Sequence, residues 1–347
     1  MNAPQSAVLD HPFHAPPPLG EALEVAPNIL WLRMPLPFAL DHINIWSLRD
    51  AHGFTQIDCG YGDAPTRELW SRHFATTLHG EPITRIIATH CHPDHLGNAK
   101  WLSDRFDCPV AMTESEYLAA HAIIDQRATH AVSDTCALFR RHGMTDEHLA
   151  AIAARGNQYK RGVPEAPTHF ERLIAGDRFP AGRTTWHVIA GFGHSPEHAA
   201  LHAESAGVLI SGDMLLPKIT TNVAVWPVEP DGDPLARFLG SLGAFETLPP
   251  DTLVLPSHGL PFRGIALRIA QLRAHHAVRL NELAAAVGAA HAPQSAADVI
   301  PVLFRRALDM QQRFFAMGEA IAHLNHLWHA GRVTRLIDGD CAIRFAA

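Results

Sequence analysis

Apolar and polar positions alternate with two distinct periods along this chain, and the switches between them outline its elements. Short β-branched or aromatic runs predict strands over 29–34, 43–48, 54–58 and 83–88, with another over 109–112. A second set of runs predicts strands near 184–190, 199–204, 207–211 and 252–255. Helical spacing appears over 66–78 and 97–105, and again near 234–247. Between the two strand sets, 114–129, 132–142 and 146–159 read as helices, so residues 113–169 are expected to form a helical cap inserted between core strands. From 265 onward the pattern is helical over 265–287, 296–307 and 310–330, with Ser295 as an N-cap. The chain then spells a hairpin, 332–337 and 340–345, turning at Asp338-Gly339. Three helices followed by two strands resemble a winged helix.

Composition narrows the class. The 347 residues are 47% apolar, enough for a large core and more than one domain. No run of 18 apolar residues occurs, so no membrane span is expected. Residues 1–22, with Pro4, Pro12, Pro16, Pro17 and Pro18, read as a flexible tail without the basic start and apolar centre of a signal peptide. Five cysteines without regular spacing argue against a disulfide framework and for a cytoplasmic location. A net charge of −7 disfavours nucleic acid as a partner, because phosphate binding needs basic stripes. The would-be recognition helix around Glu319 to His326 also has few cations, so packing on the core or on a second copy in a homodimer is the expected role of the tail.

The candidate chemistry sits where strands end. Directly after the 83–88 run comes Thr89-His90-Cys91-His92-Pro93-Asp94-His95-Leu96-Gly97, three imidazoles and a carboxylate within six residues. Alternate residues of an extended segment share a face, so His90 and His92 can meet one metal. A turn at Pro93 would send Asp94 and His95 to a second position about 3.5–4 Å away, the spacing of two-metal sites. Matching groups follow three later apolar runs: His194 in Gly193-His194-Ser195-Pro196-Glu197-His198, Asp213 in Gly212-Asp213-Met214, and His258 in Ser257-His258-Gly259. Cys91, between two candidate ligands, is expected to point away from them.

In this order, HxHxDH, GH, GD and SHG, the chain resembles the metallo-β-lactamase superfamily over roughly residues 24–265. The resemblance implies an α/β fold: an αββα sandwich with the helical cap over 113–169 and a helical, winged-helix-like C-terminal domain over 265–347. It implies that His90, His92 and His194 hold a first metal, that Asp94, His95 and His258 hold a second, and that Asp213 bridges both. Two divalent ions are thus the expected cofactors, zinc first, with iron or manganese as alternatives. A hydroxide held between such ions attacks a carbonyl carbon or a phosphorus, with Asp94 orienting it or relaying its proton. Asp58, in the Asp58-Cys59-Gly60 segment, is expected to brace a ligand. Asp213 argues against antibiotic hydrolysis, since true metallo-β-lactamases usually carry Cys or Ser there. The seven ligands match those of glyoxalase II enzymes, whose basic glutathione-holding residues are not recognisable here. The expected reaction is therefore acyl cleavage of a small thioester, ester or lactone. The alternative is a phosphodiesterase or endoribonuclease of the winged lactamase-β-like type. Expected substrate contacts are Lys218, Asn222 and Trp226, which follow the bridging Asp213, together with Tyr159 and with His198, which is expected to orient a ligand or a substrate oxygen; Phe139, Arg140 and Lys160 join Tyr159 as expected pocket-lining residues of the cap.

Overall fold

The structure, a computed structural model, describes residues 8–347. Strands β1 (Ala22–Ala26), β2 (Ile29–Pro35), β3 (His42–Asp50) and β4 (Gly53–Ile57) form an antiparallel meander. Helix α1 (Ala64–Thr76) starts where Asp63 accepts a hydrogen bond from the Thr66 amide, and it crosses to β5 (Ile83–Ile87), parallel to β4. Next come α2 (Pro93–Leu96), α3 (Ala99–Phe106) and β6 (Val110–Met112). The insertion holds α4 (Glu114–Ile124), α5 (Val132–Arg141), α6 (Asp146–Arg155) and α7 (Tyr159–Gly162), after which β7 (Glu171–Arg172) closes a seven-stranded sheet in sequence order. The second sheet uses β8 (Arg178–Ala181), β9 (Thr184–Gly191), β10 (His198–Ala203) and β11 (Val208–Gly212); α8 (Pro234–Glu246) then leads to β12 (Leu253–Pro256), parallel to β11. The C-terminal domain comprises α9 (Ile265–Ala289), α10 (Ala296–Leu303), α11 (Met310–His329) and the hairpin β13 (Thr334–Ile337) and β14 (Ile343–Ala346).

Period-two alternation sorts the strand residues into layers. In β2, Ile29 and Trp31 face the other sheet while Leu32 and Met34 face the helices; in β3, Trp46 and Leu48 point one way and Ile43 and Ile45 the other. Trp31, Trp46, Trp186, Leu201, Ile210 and Leu255 interleave between the sheets. Leu102, Trp70 and Met112 pack the outer face of the first sheet, and Phe238, Ile269 and Ile321 belong to the core on the outer face of the second. The result is the expected αββα sandwich carrying a helical C-terminal domain.

Several expectations change. Strands β1 and β8 were not legible, because β1 is largely exposed on an edge and β8 contains Pro180. The 146–159 helix breaks into α6 and α7 at Gly156, whose φ is +63°. The hairpin turn spans 338–342 rather than two residues, because the Asp338 carboxylate accepts from the amides of Asp340 and Ala342 and organises a longer loop. Of the tail expected over 1–22, residues 1–7 lie outside the described residues, and the rest is not loose. Leu9 is buried, Asp10 bridges to Arg263, His11 Nδ1 donates to the Pro261 carbonyl at 3.0 Å, and Phe13 meets Trp31 edge-on. The cap divides too. Helices α4 and α7 pair with each other, and α7 leans on α2, whereas Phe139, Leu149 and Ile152 of α5 and α6 join the core of the C-terminal domain. Phe139 is fully buried against Phe314 and so lines no pocket, while the exposed Arg140 pairs with Asp146. Among the described residues no helix is long and apolar enough to cross a membrane.

Candidate metal centre

Five strand ends deliver the candidate ligands and their braces to one edge of the sandwich: β4, β5, β9, β11 and β12. After β5 the chain bends through residues 89–92, His92 itself being extended, then Pro93 opens the single turn of α2 and swings Asp94 and His95 inward. His90 Nε2 lies 2.9 Å from His92 Nδ1 and 3.2 Å from His194 Nε2. Nitrogens around a tetrahedral ion with bonds of about 2.0–2.1 Å stand roughly 3.3 Å apart, so this triplet has the size of a metal position. Alongside it, Asp94 Oδ2 is 3.6 Å from His95 Nε2 and 3.4 Å from His258 Nε2. Asp213 stands between the two groups. Its Oδ2 is 3.4 Å from His194 Nε2, while its Oδ1 is 3.5 Å from His95 Nε2 and 3.6 Å from His258 Nε2. All seven residues singled out as ligands are thus brought together.

Four of the five imidazoles, all but His92, are held by their outer nitrogens. His95 Nδ1 donates to Asp58 at 2.8 Å, His194 Nδ1 to the Asn222 carbonyl at 2.8 Å and His258 Nδ1 to the His42 carbonyl at 2.8 Å. The Thr89 hydroxyl donates to Asp58 and accepts from His90 Nδ1. These bonds fix the tautomers and leave the other nitrogen lone pairs converging. His95 Nε2 and Asp213 Oδ1 are buried with no hydrogen-bond partner, which is costly unless a cation completes them. The residues therefore fit a pair of divalent ions. Electrostatics agree. Burial, reinforced by neighbouring imidazoles, holds His90 well below the usual range, and burial brings His92 to about 3. Burial opposes charge on Asp94 and Asp213, but nearby imidazoles outweigh it and keep both carboxylates ionised, Asp94 at about 2. Burial also opposes charge on His95 and His258, yet the surrounding carboxylates outweigh it and raise both, His95 to about 9. Negative charge in excess thus draws cations to that side, and a metal binding there displaces protons. Neutral imidazole and ionised carboxylate are the forms that bind metal.

Supporting residues were less legible. Glu116, fully buried in the first turn of α4, accepts from the Cys91 amide (2.9 Å), the Ser195 hydroxyl (2.6 Å) and the Glu197 amide (2.7 Å). It ties the two segments carrying His92 and His194, yet in sequence it looks like an ordinary acidic residue at a helix start. Asn44 donates to the carbonyls of Pro256 and Gly259 and steadies the His258 turn. Asp58 braces His95 as the motif suggested. Cys91 is buried among helix-side core residues, and burial pushes its thiol well up.

The expected substrate contacts fare differently. His198, expected to orient a ligand or a substrate oxygen, is sealed, and its Nε2 accepts the Asp213 amide at 3.1 Å, so it sits behind the centre against a candidate ligand and away from substrate. Gly212 is required there, since a Cβ would lie 2.2 Å from the His198 ring. Asn222 uses its amide on Glu319, and Trp226 packs on Phe314, so both side chains make contacts with α11. The Tyr159 hydroxyl donates to the Cys91 carbonyl at 2.5 Å, which leaves it structural. Lys218 is exposed on the loop after Asp213, and Lys160 is exposed on α7.

Fold and site together define a metal-dependent hydrolase of a known class: residues 41–258 match the Metallo-beta-lactamase superfamily, and the chain belongs to it. Residues 280–347 match the family described as Metallo-beta-lactamase-like, C-terminal domain. A solved beta-lactamase domain protein from Burkholderia ambifaria is 48% identical, with a TM-score of 0.90 over 97% of this chain and 98% of that one. A metallo-beta-lactamase family protein from Thermus thermophilus is 27% identical, with a TM-score of 0.77 over 93% of this chain and 99% of that one. The "Probable metallo-hydrolase YqjP" of Bacillus subtilis (strain 168) is 23% identical over 90% of this chain and 96% of that protein.

Proposed function

We propose that this metallo-hydrolase is a dinuclear enzyme, zinc-dependent in the first place, that cleaves an acyl bond in a small thioester, ester or lactone. The observation that carries the dinuclear reading is Asp213, one carboxylate oxygen of which faces each ligand group. Two divalent ions bound there would polarise a carbonyl oxygen and acidify a water to near neutrality. Asp94 keeps 17% of its side-chain surface accessible beside them and is the group that accepts the water's proton and returns it to the leaving thiolate or alkoxide. Lys218 remains the proposed contact for an anionic part of the substrate. The net charge of −7 supports a small molecule over a polyanionic chain.

The test compares initial rates of metal-assayed protein on matched acyl thioester, lactone and phosphodiester substrates, with Asp213→Ala as the blank. Acyl turnover far above phosphodiester turnover, lost by at least about a thousandfold in the blank, is the expected result. Phosphodiester turnover in excess would replace the acyl reading with a nuclease-like one. Elemental analysis of the same samples for zinc, iron and manganese identifies the ions.

A further inference from the structure

The loop that follows Asp213 is gripped from both sides by the C-terminal domain. Arg268 of α9, itself buried, donates to the Leu216 carbonyl at 2.5 Å and the Ile219 carbonyl at 2.7 Å. From the other side α11 comes close enough for the Val225 amide to donate to the Gly318 carbonyl at 3.1 Å. A Cβ at Gly318 would stand 2.9 Å from that of Ala224, so a residue with no side chain permits this approach. The next residue, Glu319, accepts from Asn222 Nδ2 at 2.9 Å. The Asn222 carbonyl accepts from His194 Nδ1 at 2.8 Å, and His194 Nε2 then faces His90 and Asp213. A continuous chain of contacts thus runs from a C-terminal helix into the centre.

We propose that Glu319 is a positioning residue of the metal centre: through Asn222 it fixes the imidazole of His194, so the C-terminal domain sets how tightly the His90, His92 and His194 position holds its ion. This inference rests on reading the seven residues as a metal centre. Outer partners that orient a metal-binding imidazole typically change affinity by about 10–100-fold. A purely structural role would be served as well by an apolar residue at this half-buried point of α11, since even partly burying a carboxyl with a single partner is unfavourable. Burial raises the Glu319 carboxyl to about 7, and both of its protonation states offer Asn222 an oxygen acceptor. A glutamine can therefore stand in for it and an alanine cannot.

The full chain, stripped of metal, is titrated with zinc against a chromogenic chelator as wild type, Glu319→Ala, Glu319→Gln and His92→Ala. Glu319→Ala is expected to weaken the position that includes His194 about tenfold or more, while Glu319→Gln stays within about threefold of wild type. Melting of the metal-free forms should show little difference between the two. Wild-type zinc affinity in Glu319→Ala, with His92→Ala defective, overturns the proposal and leaves the metal centre standing. Wild-type binding in His92→Ala instead sinks the metal-centre reading itself. Should Glu319→Ala not fold, Asn222→Leu removes the amide donor while keeping the side chain's bulk; unchanged zinc affinity there also overturns the proposal.

Discussion

Two carboxylates that touch no candidate metal position decide how well the ligands are held. Asp58 accepts from the Thr89 amide, the Thr89 hydroxyl and His95 Nδ1, three donors on one side chain. In Asp58→Asn the new amide must face a donor whichever way it turns. We expect metal affinity or turnover to fall about 10–100-fold with the fold intact, read by chelator competition and circular dichroism. Glu116 likewise answers three buried donors. Glu116→Ala should cost roughly 3 kcal/mol or more in urea unfolding, because the orphaned groups keep their full desolvation penalty. A loss below about 1 kcal/mol would show that water replaces the carboxylate. Residue types explain what could be read in advance. His90, His92, Asp94 and His95 crowd into one short segment, and the remaining ligands each follow a strand and a glycine or serine. Glu116 and Glu319 lie within helices at positions where acidic residues are ordinary, so only folding reveals their partners.

Elements with strong periodicity were legible and those defined by their neighbours were not. Helix α10 follows Ser295, the expected N-cap, which pairs reciprocally with Asp298, but it ends at Leu303 and not at 307. Strand β7, two residues long, exists only because β6 lies beside it. The hinge between α5 and α6 carries a different kind of exception. His142 follows α5, is buried, stacks on Phe345 of β14, and has neither ring nitrogen hydrogen-bonded. Replacing it with an apolar ring removes a desolvation cost without opening a cavity. His142→Phe should therefore stabilise the protein by about 1–3 kcal/mol, visible as a raised melting temperature. A lowered melting temperature would mean that the extra ring volume strains the packing between the cap and the hairpin.

At the scale of the molecule, buried neutral histidines set a limit on acid tolerance. Burial lowers His73 and His323 to about 4 and His142 and His276 to about 3. Unfolded, these imidazoles take a proton near pH 6.5; folded, they resist until the pH falls to about 4 for His73 and His323 and about 3 for His142 and His276. Protonation therefore favours the unfolded chain, and the stability they allow is full above about pH 6.5 and lost progressively from there down to about pH 3. At about pH 5 each costs roughly 2 kcal/mol. Calorimetry should show the melting temperature dropping by several degrees between about pH 7.5 and pH 5, and a flat profile would contradict neutral burial. The sandwich and its metal edge could be anticipated from strand order, whereas the joining of α5 and α6 to the C-terminal helices could not, because their partners lie so far along the chain. That union has a consequence for the chain during its own synthesis. At about 5–20 residues per second, α11 leaves the ribosome roughly ten to thirty seconds after α6. Until then Phe139 and helix α6 lack the α11 surface, Phe314 included, that completes their burial. A nascent chain arrested before residue 310 should bind an apolar-surface dye or a holding chaperone that the finished protein ignores.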